Sequence, residues 1–158
     1  MRMVDIGGKA PTERIAVAVA RVRMLPATLQ KIRSGKVEKG DVVAAARLAG
    51  VMAAKRTPDV VPLCHPIALS SVEVEVKPVT VGVELRAVVK TVDRTGVEME
   101  ALTAVSAAAL TVYDMLKSSD RGMVIEHVML EHKSGGRSGP WTRRAQGLAK
   151  LKKKRVAR

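Results

Sequence analysis

Ser71-Val72-Glu73-Val74-Glu75-Val76-Lys77 alternates apolar and polar residues along its length. A strand turns successive side chains to opposite faces, so the valines form a core face and the charged residues the other. Pro78 to Gly82 turns the chain, and Val83-Glu84-Leu85-Arg86-Ala87-Val88-Val89 returns as the second strand of a hairpin. Upstream, Ile15 to Met24 is short, branched and apolar and reads as another strand. Leu25-Pro26-Ala27-Thr28 breaks it, and Pro26 suits the first turn of a short helix ending near Ser34-Gly35. Gly40-Asp41 opens a second helix, about Val42 to Arg56, with an acid at its start and Lys55-Arg56 at its end, as the helix dipole favours.

Downstream, Val97 to Leu116 is the longest helical stretch, and Val124 to Leu130 is a final strand, apolar on both faces and expected to be covered on both. The order β, αα, β, β, α, β predicts an α+β fold: a ferredoxin-like antiparallel sheet with helices packed on one face. The other face then needs a cover, most simply a second subunit, so the chain is expected to be oligomeric.

A chain of 158 residues is long enough for one sizeable core. With one Trp, one Tyr and no Phe, that core must be aliphatic. The N-terminus has no apolar h-region, and Ala101 to Val112 is too short and too hydroxylated to span a bilayer. A single cysteine forms no intrachain disulfide, and a cytoplasmic protein without a membrane association is expected. Of the net charge of +13, eight Lys or Arg fall in residues 143–158, which leaves +5 on residues 1–142. Residues 1–142 therefore read as a single domain and 143–158 as a flexible basic tail. The tail and the topology are the case for an RNA-binding module. Single-stranded nucleic acid, however, is held on aromatic platforms, and two aromatics are too few, so no specific nucleic-acid partner is expected. A purely structural subunit would explain the alanine-rich helices but not the acids and lysines that punctuate them.

Val60-Val61-Pro62-Leu63-Cys64-His65-Pro66 sets the one cysteine beside one of three histidines. Adjacent side chains diverge, so His65 is poorly placed as a base for Cys64. His127 and His132, five apart on a strand, are expected to point to opposite faces, and His65 has no acid or histidine at ligand spacing, so no metal site is expected. By itself the motif reads by default as a buried cysteine and a hydrogen-bonded histidine in a stiff loop, though a proline-stiffened loop is also a good scaffold for a contact from His65. Thr95-Gly96-Val97-Glu98 reads as a capping box for the long helix, which leaves Met99 and Glu100 unassigned. Asp114 and Lys117 share a helix face, as a surface ion pair would. Yet an acid is disfavoured near a helix C-terminus, and a carboxylate beside an amine can accept and donate protons in one site. Glu100 and Asp114 are about 21 Å apart along a straight helix. Both touch one small ligand only if it is elongated or if two copies of the helix bring opposite ends together, which makes an intersubunit site attractive. Lys133-Ser134-Gly135-Gly136-Arg137-Ser138-Gly139 has the composition of a phosphate loop and also of a flexible linker.

Met3-Val4-Asp5, Lys39-Gly40-Asp41-Val42, Ala45-Ala46-Arg47-Leu48-Ala49-Gly50, Ala54-Lys55-Arg56-Thr57, Pro62-Leu63-Cys64-His65-Pro66, Thr95 to Ala104, Tyr113-Asp114-Met115 and Lys133-Ser134-Gly135-Gly136 occur in this order. In that order they resemble the MoaC family, the cyclic pyranopterin monophosphate synthases of molybdenum-cofactor biosynthesis, over roughly residues 3–139. The resemblance implies a lyase that rearranges a cyclised GTP, 3′,8-cyclo-7,8-dihydroguanosine 5′-triphosphate, with release of pyrophosphate and closure of a cyclic phosphate. It implies no cofactor, and a homohexamer built as three dimers with sites at subunit interfaces. Carried over residue by residue, Asp114 is the catalytic aspartate, Lys117 the lysine beside it and Lys39 a further catalytic lysine. Leu63, Cys64 and His65 form one substrate-binding segment, and Met99 and Glu100 another. Glu98, Lys55 and Arg14 are further members, and Lys133 and Arg137 are candidates for the triphosphate. Arg137 stands where the family commonly has lysine, and Trp141 and the basic tail have no clear counterpart.

Overall fold

The structure, a computed structural model, describes residues 1–143; of the basic tail expected over 143–158, Arg143 is described and bonds to β4, and the rest lies outside the described residues. The alternating stretch is β2 (Ser71–Val79), paired antiparallel with β3 (Gly82–Asp93). Val72, Val74 and Val76 lie beside Val89, Ala87 and Leu85, so the period-two pattern of both strands feeds one face. β3 pairs with β1 (Thr12–Arg23), β1 with β4 (Val124–Ser134), and β4 with a two-residue β5 (Trp141–Thr142). The sheet is antiparallel throughout, in the order β2-β3-β1-β4-β5. Gly82 turns the hairpin at φ 153°, where a Cβ would collide with the carbonyl of Val22.

Four helices complete the α+β fold: α1 (Pro26–Arg33), α2 (Val42–Ala54), the short α3 (Thr57–Val60) and α4 (Glu98–Leu116). The core cluster takes Ala16, Ala18, Ala20 and Val22 of β1 and Val83, Leu85, Ala87 and Val89 of β3, packed with Ala101, Ala104, Val105, Ala108 and Val112 of α4. Small side chains on both layers let backbones approach. At Gly50 of α2, a Cβ would stand 3.0 Å from the Ala104 carbonyl and 3.1 Å from Val74. α4 is long and apolar enough to cross a membrane by length and composition, but half of it is buried inside this fold.

The opposite sheet face contributes nothing to that cluster, although Val17 on it is itself buried. Val92 there is 66% exposed, and the ion pairs Arg21–Glu84 and Arg86–Glu131 run across it beside half-exposed Ile15, Val19, Val88 and Met129.

Four sequence expectations change. β4 is not covered on both faces: Val124 and Val128 are each 40% exposed. Register shifts in the β1–β4 pairing bring His127 opposite Arg21 and His132 opposite Val17, so the two histidines share a face instead of opposing one another. A bulge adds one residue and so resets the alternation. They still stand roughly 13 Å apart along the sheet. The capping box is absent, because α4 enters at Val97 with no side-chain cap bond, leaving Thr95 two residues outside the helix. Lys133 and Ser134, expected in a loop, end β4.

One buried acid escaped sequence reading. Asp120 is 6% exposed; its Oδ2 accepts from the Leu25 N–H (2.9 Å) and the Thr28 hydroxyl (3.2 Å), and its Oδ1 from the Gly122 N–H (3.0 Å). It ties the start of α1 to the turn after α4. Asp120→Ala strands three donors and should destabilise the fold by about 2–3 kcal/mol in urea titration, with Asp120→Asn milder. An unchanged midpoint for the alanine variant would refute this role.

Candidate active site

Lys39 ends the turn before α2, where Gly40 at φ 100° redirects the chain and Asp41 caps the helix by accepting from the Ala44 N–H at 3.0 Å. The turn carries the Lys39 ammonium across to the last turn of α4. There it donates to Asp114 Oδ2 at 2.7 Å and to the Asp114 carbonyl at 3.1 Å. Lys117, one turn further along, donates to Asp114 Oδ1 at 2.7 Å. Each carboxylate oxygen thus has its own ammonium, which offsets the poor placing of an acid at a helix C-terminus. Hydrogen bonds from Lys117 and then Lys39 pull the Asp114 carboxyl down to about 2, and Asp114 in turn raises Lys117.

The trio lines a cleft with Tyr113, Ser118 and Arg121. Tyr113 donates its hydroxyl to the Arg121 carbonyl at 3.1 Å, which fixes the turn that brings Arg121 in. Lys39, Lys117 and Arg121 thus set three cations around one carboxylate, an arrangement suited to an anionic ligand. Tyr113 stands out in the sequence only as part of Tyr113-Asp114-Met115, and Ser118 and Arg121 not at all; those two are on a turn whose proximity to Lys39 no local pattern encodes.

The other end of α4 carries a second cluster. Thr57 caps the end of α2 by donating to the Ala54 carbonyl at 3.0 Å, and α3 with Pro58, followed by Pro62, swings the chain back so that Cys64 reaches α4. Cys64 Sγ lies 3.5 Å from Glu100 Oε1. Glu100 is 2% exposed, and its Oε2 has no hydrogen-bond partner among the described residues. Burial pushes its carboxyl up; burial, then the charge and hydrogen bond of Glu100, push the Cys64 thiol up to about 11. Cys64 is therefore a neutral thiol near pH 7 and a poor nucleophile. His65 is half-buried, while Leu63 (49%) and Met99 (39%) are exposed beside this cluster in sequence, as groups awaiting a partner would be.

Because the fold favours the neutral Glu100 carboxyl, its contribution to stability is full below the unfolded carboxylate range and is lost as pH rises through the folded value. Glu100→Gln should therefore stabilise the protein at pH 8 by on the order of 1 kcal/mol and do little at pH 4. A lower melting temperature for the glutamine variant at pH 8 would contradict the assignment.

A third group lies at the far end of β1. The Arg14 guanidinium donates to the carbonyls of Asp93 and Arg94, each at 3.4 Å, and lies against Gly136, where a Cβ would strike it. The Lys133 ammonium reaches Ser138 Oγ across the glycine loop, and Arg137 is exposed on it. Glu98 begins α4 and turns its carboxylate back over Gly96; Lys55 is exposed at the end of α2. The structure thus brings Lys39 to Asp114 and Lys117, Cys64 to Glu100, and Arg14 to the loop of Lys133 and Arg137. Within one chain it does not unite the two ends of α4. Among the described residues, no group of three or more His, Cys, Asp or Glu could hold a metal ion.

Residues 3–136 match the MoaC family. A cyclic pyranopterin monophosphate synthase from Thermomicrobium roseum is 58% identical over 90% of this chain and 87% of its own length. Proteins of the same name from Novosphingobium aromaticivorans and Streptomyces coelicolor are 57% and 55% identical, over 89% and 90% of this chain and 89% and 84% of their own lengths.

Proposed function

Because this chain belongs to the MoaC family, we propose that it is a cyclic pyranopterin monophosphate synthase, a lyase of molybdenum-cofactor biosynthesis. It converts (8S)-3′,8-cyclo-7,8-dihydroguanosine 5′-triphosphate to cyclic pyranopterin monophosphate with release of pyrophosphate. The observation that carries this reading is the Asp114 carboxylate held between two ammonium groups in a cationic cleft. Rearranging a purine-derived ring requires proton removal and return at neighbouring atoms, and closing a cyclic phosphate requires positive charge on the phosphoryl oxygens.

Asp114 accepts protons and Lys117 donates them, while Lys39 and Arg121 serve the phosphate. With its carboxyl near 2, resting Asp114 is a weak base. A phosphoryl oxygen that drew Lys39 away would remove one of its two stabilising contacts and raise its basicity as substrate arrives. Leu63, Cys64, His65, Met99, Glu100 and Glu98 hold the base-derived end. Lys133 and Arg137, with Arg14 beneath them, hold the triphosphate, and Lys55 borders the site.

The catalytic trio and the Cys64–Glu100 cluster stand at opposite ends of α4, 14 residues and about 21 Å apart, too far for a compact ligand to bridge within one chain. Neighbouring copies would join them, and the opposite sheet face, with partly exposed aliphatic side chains beside ion pairs, offers surface for such contacts. The assembly is a homohexamer, a trimer of dimers with intersubunit sites, acting in the cytoplasm where GTP-derived nucleotides are found. The scheme needs no cofactor. Incubating the purified protein with the cyclic nucleotide should release pyrophosphate and the cyclic phosphate product in equal amounts; failure to form either would overturn this reading.

A further inference from the structure

β5 lies beyond the residues that match the family, and its contacts are unusual for a two-residue strand. The bulge in β4 falls between Leu130, opposite Ala18, and His132, opposite Val17, so Glu131 has no β1 partner. A bulged strand leaves backbone carbonyls in need of donors. Arg143 supplies two: its backbone N–H reaches the Glu131 carbonyl at 2.8 Å and its guanidinium Nε the Leu130 carbonyl at 2.7 Å. The same guanidinium lies over the Trp141 ring, 5.5 Å from its centre. One register step away, the Thr142 hydroxyl and His132 Nδ1 are 2.8 Å apart, and Trp141 pairs with Lys133.

These contacts close the loop between Ser134 and Trp141 at its base, as a clasp closes a ring. Inside it, Gly135, Gly136 and Gly139 have φ of 90°, 76° and 63°, conformations that leave loop shape to be fixed from outside. The N–H groups of Gly136, Arg137 and Ser138 donate to no protein acceptor among the described residues. Lys133 leans over the loop to Ser138, and Arg14 supports it from below. Amides without an acceptor among the described residues, beside the cations Lys133, Arg137 and Arg14, suit a polyphosphate, and such a ligand binds well only where the loop is held open in advance.

We propose that Thr142 and Arg143 are positioning residues: the β4–β5 clasp pre-forms the 133–139 loop as the polyphosphate cradle. The proposal rests on the functional reading above, which gives the triphosphate to this loop, and deepens it by naming the residues that hold the loop in shape. Neither residue touches the ligand; both act through loop geometry.

The test uses inorganic tripolyphosphate, titrated calorimetrically into the full chain at fixed ionic strength. Thr142→Val keeps shape and charge and leaves the basic tail intact, so it isolates the hydroxyl's hydrogen bond. The expected result is tripolyphosphate affinity down about tenfold for Thr142→Val and for Arg143→Ala, with Thr142→Ser restoring it. Lys133→Ala should lose more. In turnover, the Thr142→Val deficit should fall on KM, with kcat within twofold of the parent. Unchanged affinity in Thr142→Val while Lys133→Ala is impaired would overturn the clasp. Unchanged affinity in Lys133→Ala would overturn the cradle itself. The binding assay needs no turnover, so a protein that binds tripolyphosphate through the clasp but forms no pterin product would refute the functional reading and leave this one standing.

Discussion

Asp114→Asn should lower kcat/KM roughly 10³-fold or more while leaving the melting temperature unchanged. The side chain is 53% exposed and packs no core, so its loss removes chemistry and spares the fold. Asparagine keeps the shape and one acceptor but accepts no proton. Lys117→Ala should be comparably inactive, since the donor departs with it. Lys39→Ala tests the clamp separately. Without that ammonium one of the two bonds that depress Asp114 is gone, so its carboxyl should rise toward the usual range. In the parent, the acid limb of kcat/KM above pH 4 should therefore not report Asp114; in Lys39→Ala the Asp114 limb should shift upward, toward but not beyond the usual carboxylate range. Initial rates of pyrophosphate release across pH measure both. Activity of Asp114→Asn within tenfold of the parent would remove the carboxylate from the mechanism.

The second large effect concerns two dead variants made active by mixing. Asp114→Asn and His65→Ala alter opposite ends of the elements joined by α4, and each alone should be nearly inactive. If every site draws Asp114 from one copy and His65 from a neighbour, random reassembly leaves about a quarter of sites intact. Dissociating the two proteins together in mild denaturant and reassociating them should then restore about a quarter of parental activity. Reassembly of either variant with itself should restore none. A mixture as inactive as its components would mean that both clusters serve one chain, against the length of α4.

Much of this molecule is legible from local pattern. The alternation of Ser71 to Lys77 fixes which valines face the core, because strand periodicity is a property of the backbone and needs no partner to be read. Pro26 and Asp41 mark helix starts for equally local reasons, and the structure begins α1 and α2 at Pro26 and Val42. Thr95 misled because a capping signal competes with the geometry of the preceding turn, and here Val97 enters the helix instead. His127 and His132 misled because a one-residue bulge reverses alternation and has no signature of its own. Asp120 looked like any surface acid in a turn; its three donors come from segments up to 95 residues away or from its own turn.

The candidate site divides in the same way. Residue types and motif order named Asp114, Lys117, Lys39, Cys64, His65 and Glu100, and the spacing of Asp114 and Lys117 already implied a shared helix face. That Lys39 closes on Asp114 from 75 residues away, that Arg121 joins them, and that Glu100 is buried with a bare oxygen were decided by packing. Sequence by itself determined the periodicities, the helix starts and the chemical inventory, because these follow from each residue's own backbone and side-chain preferences. Tertiary structure alone decided which charges meet and which lose water, because Coulomb attraction and desolvation depend on distances that chain folding, not chain order, sets.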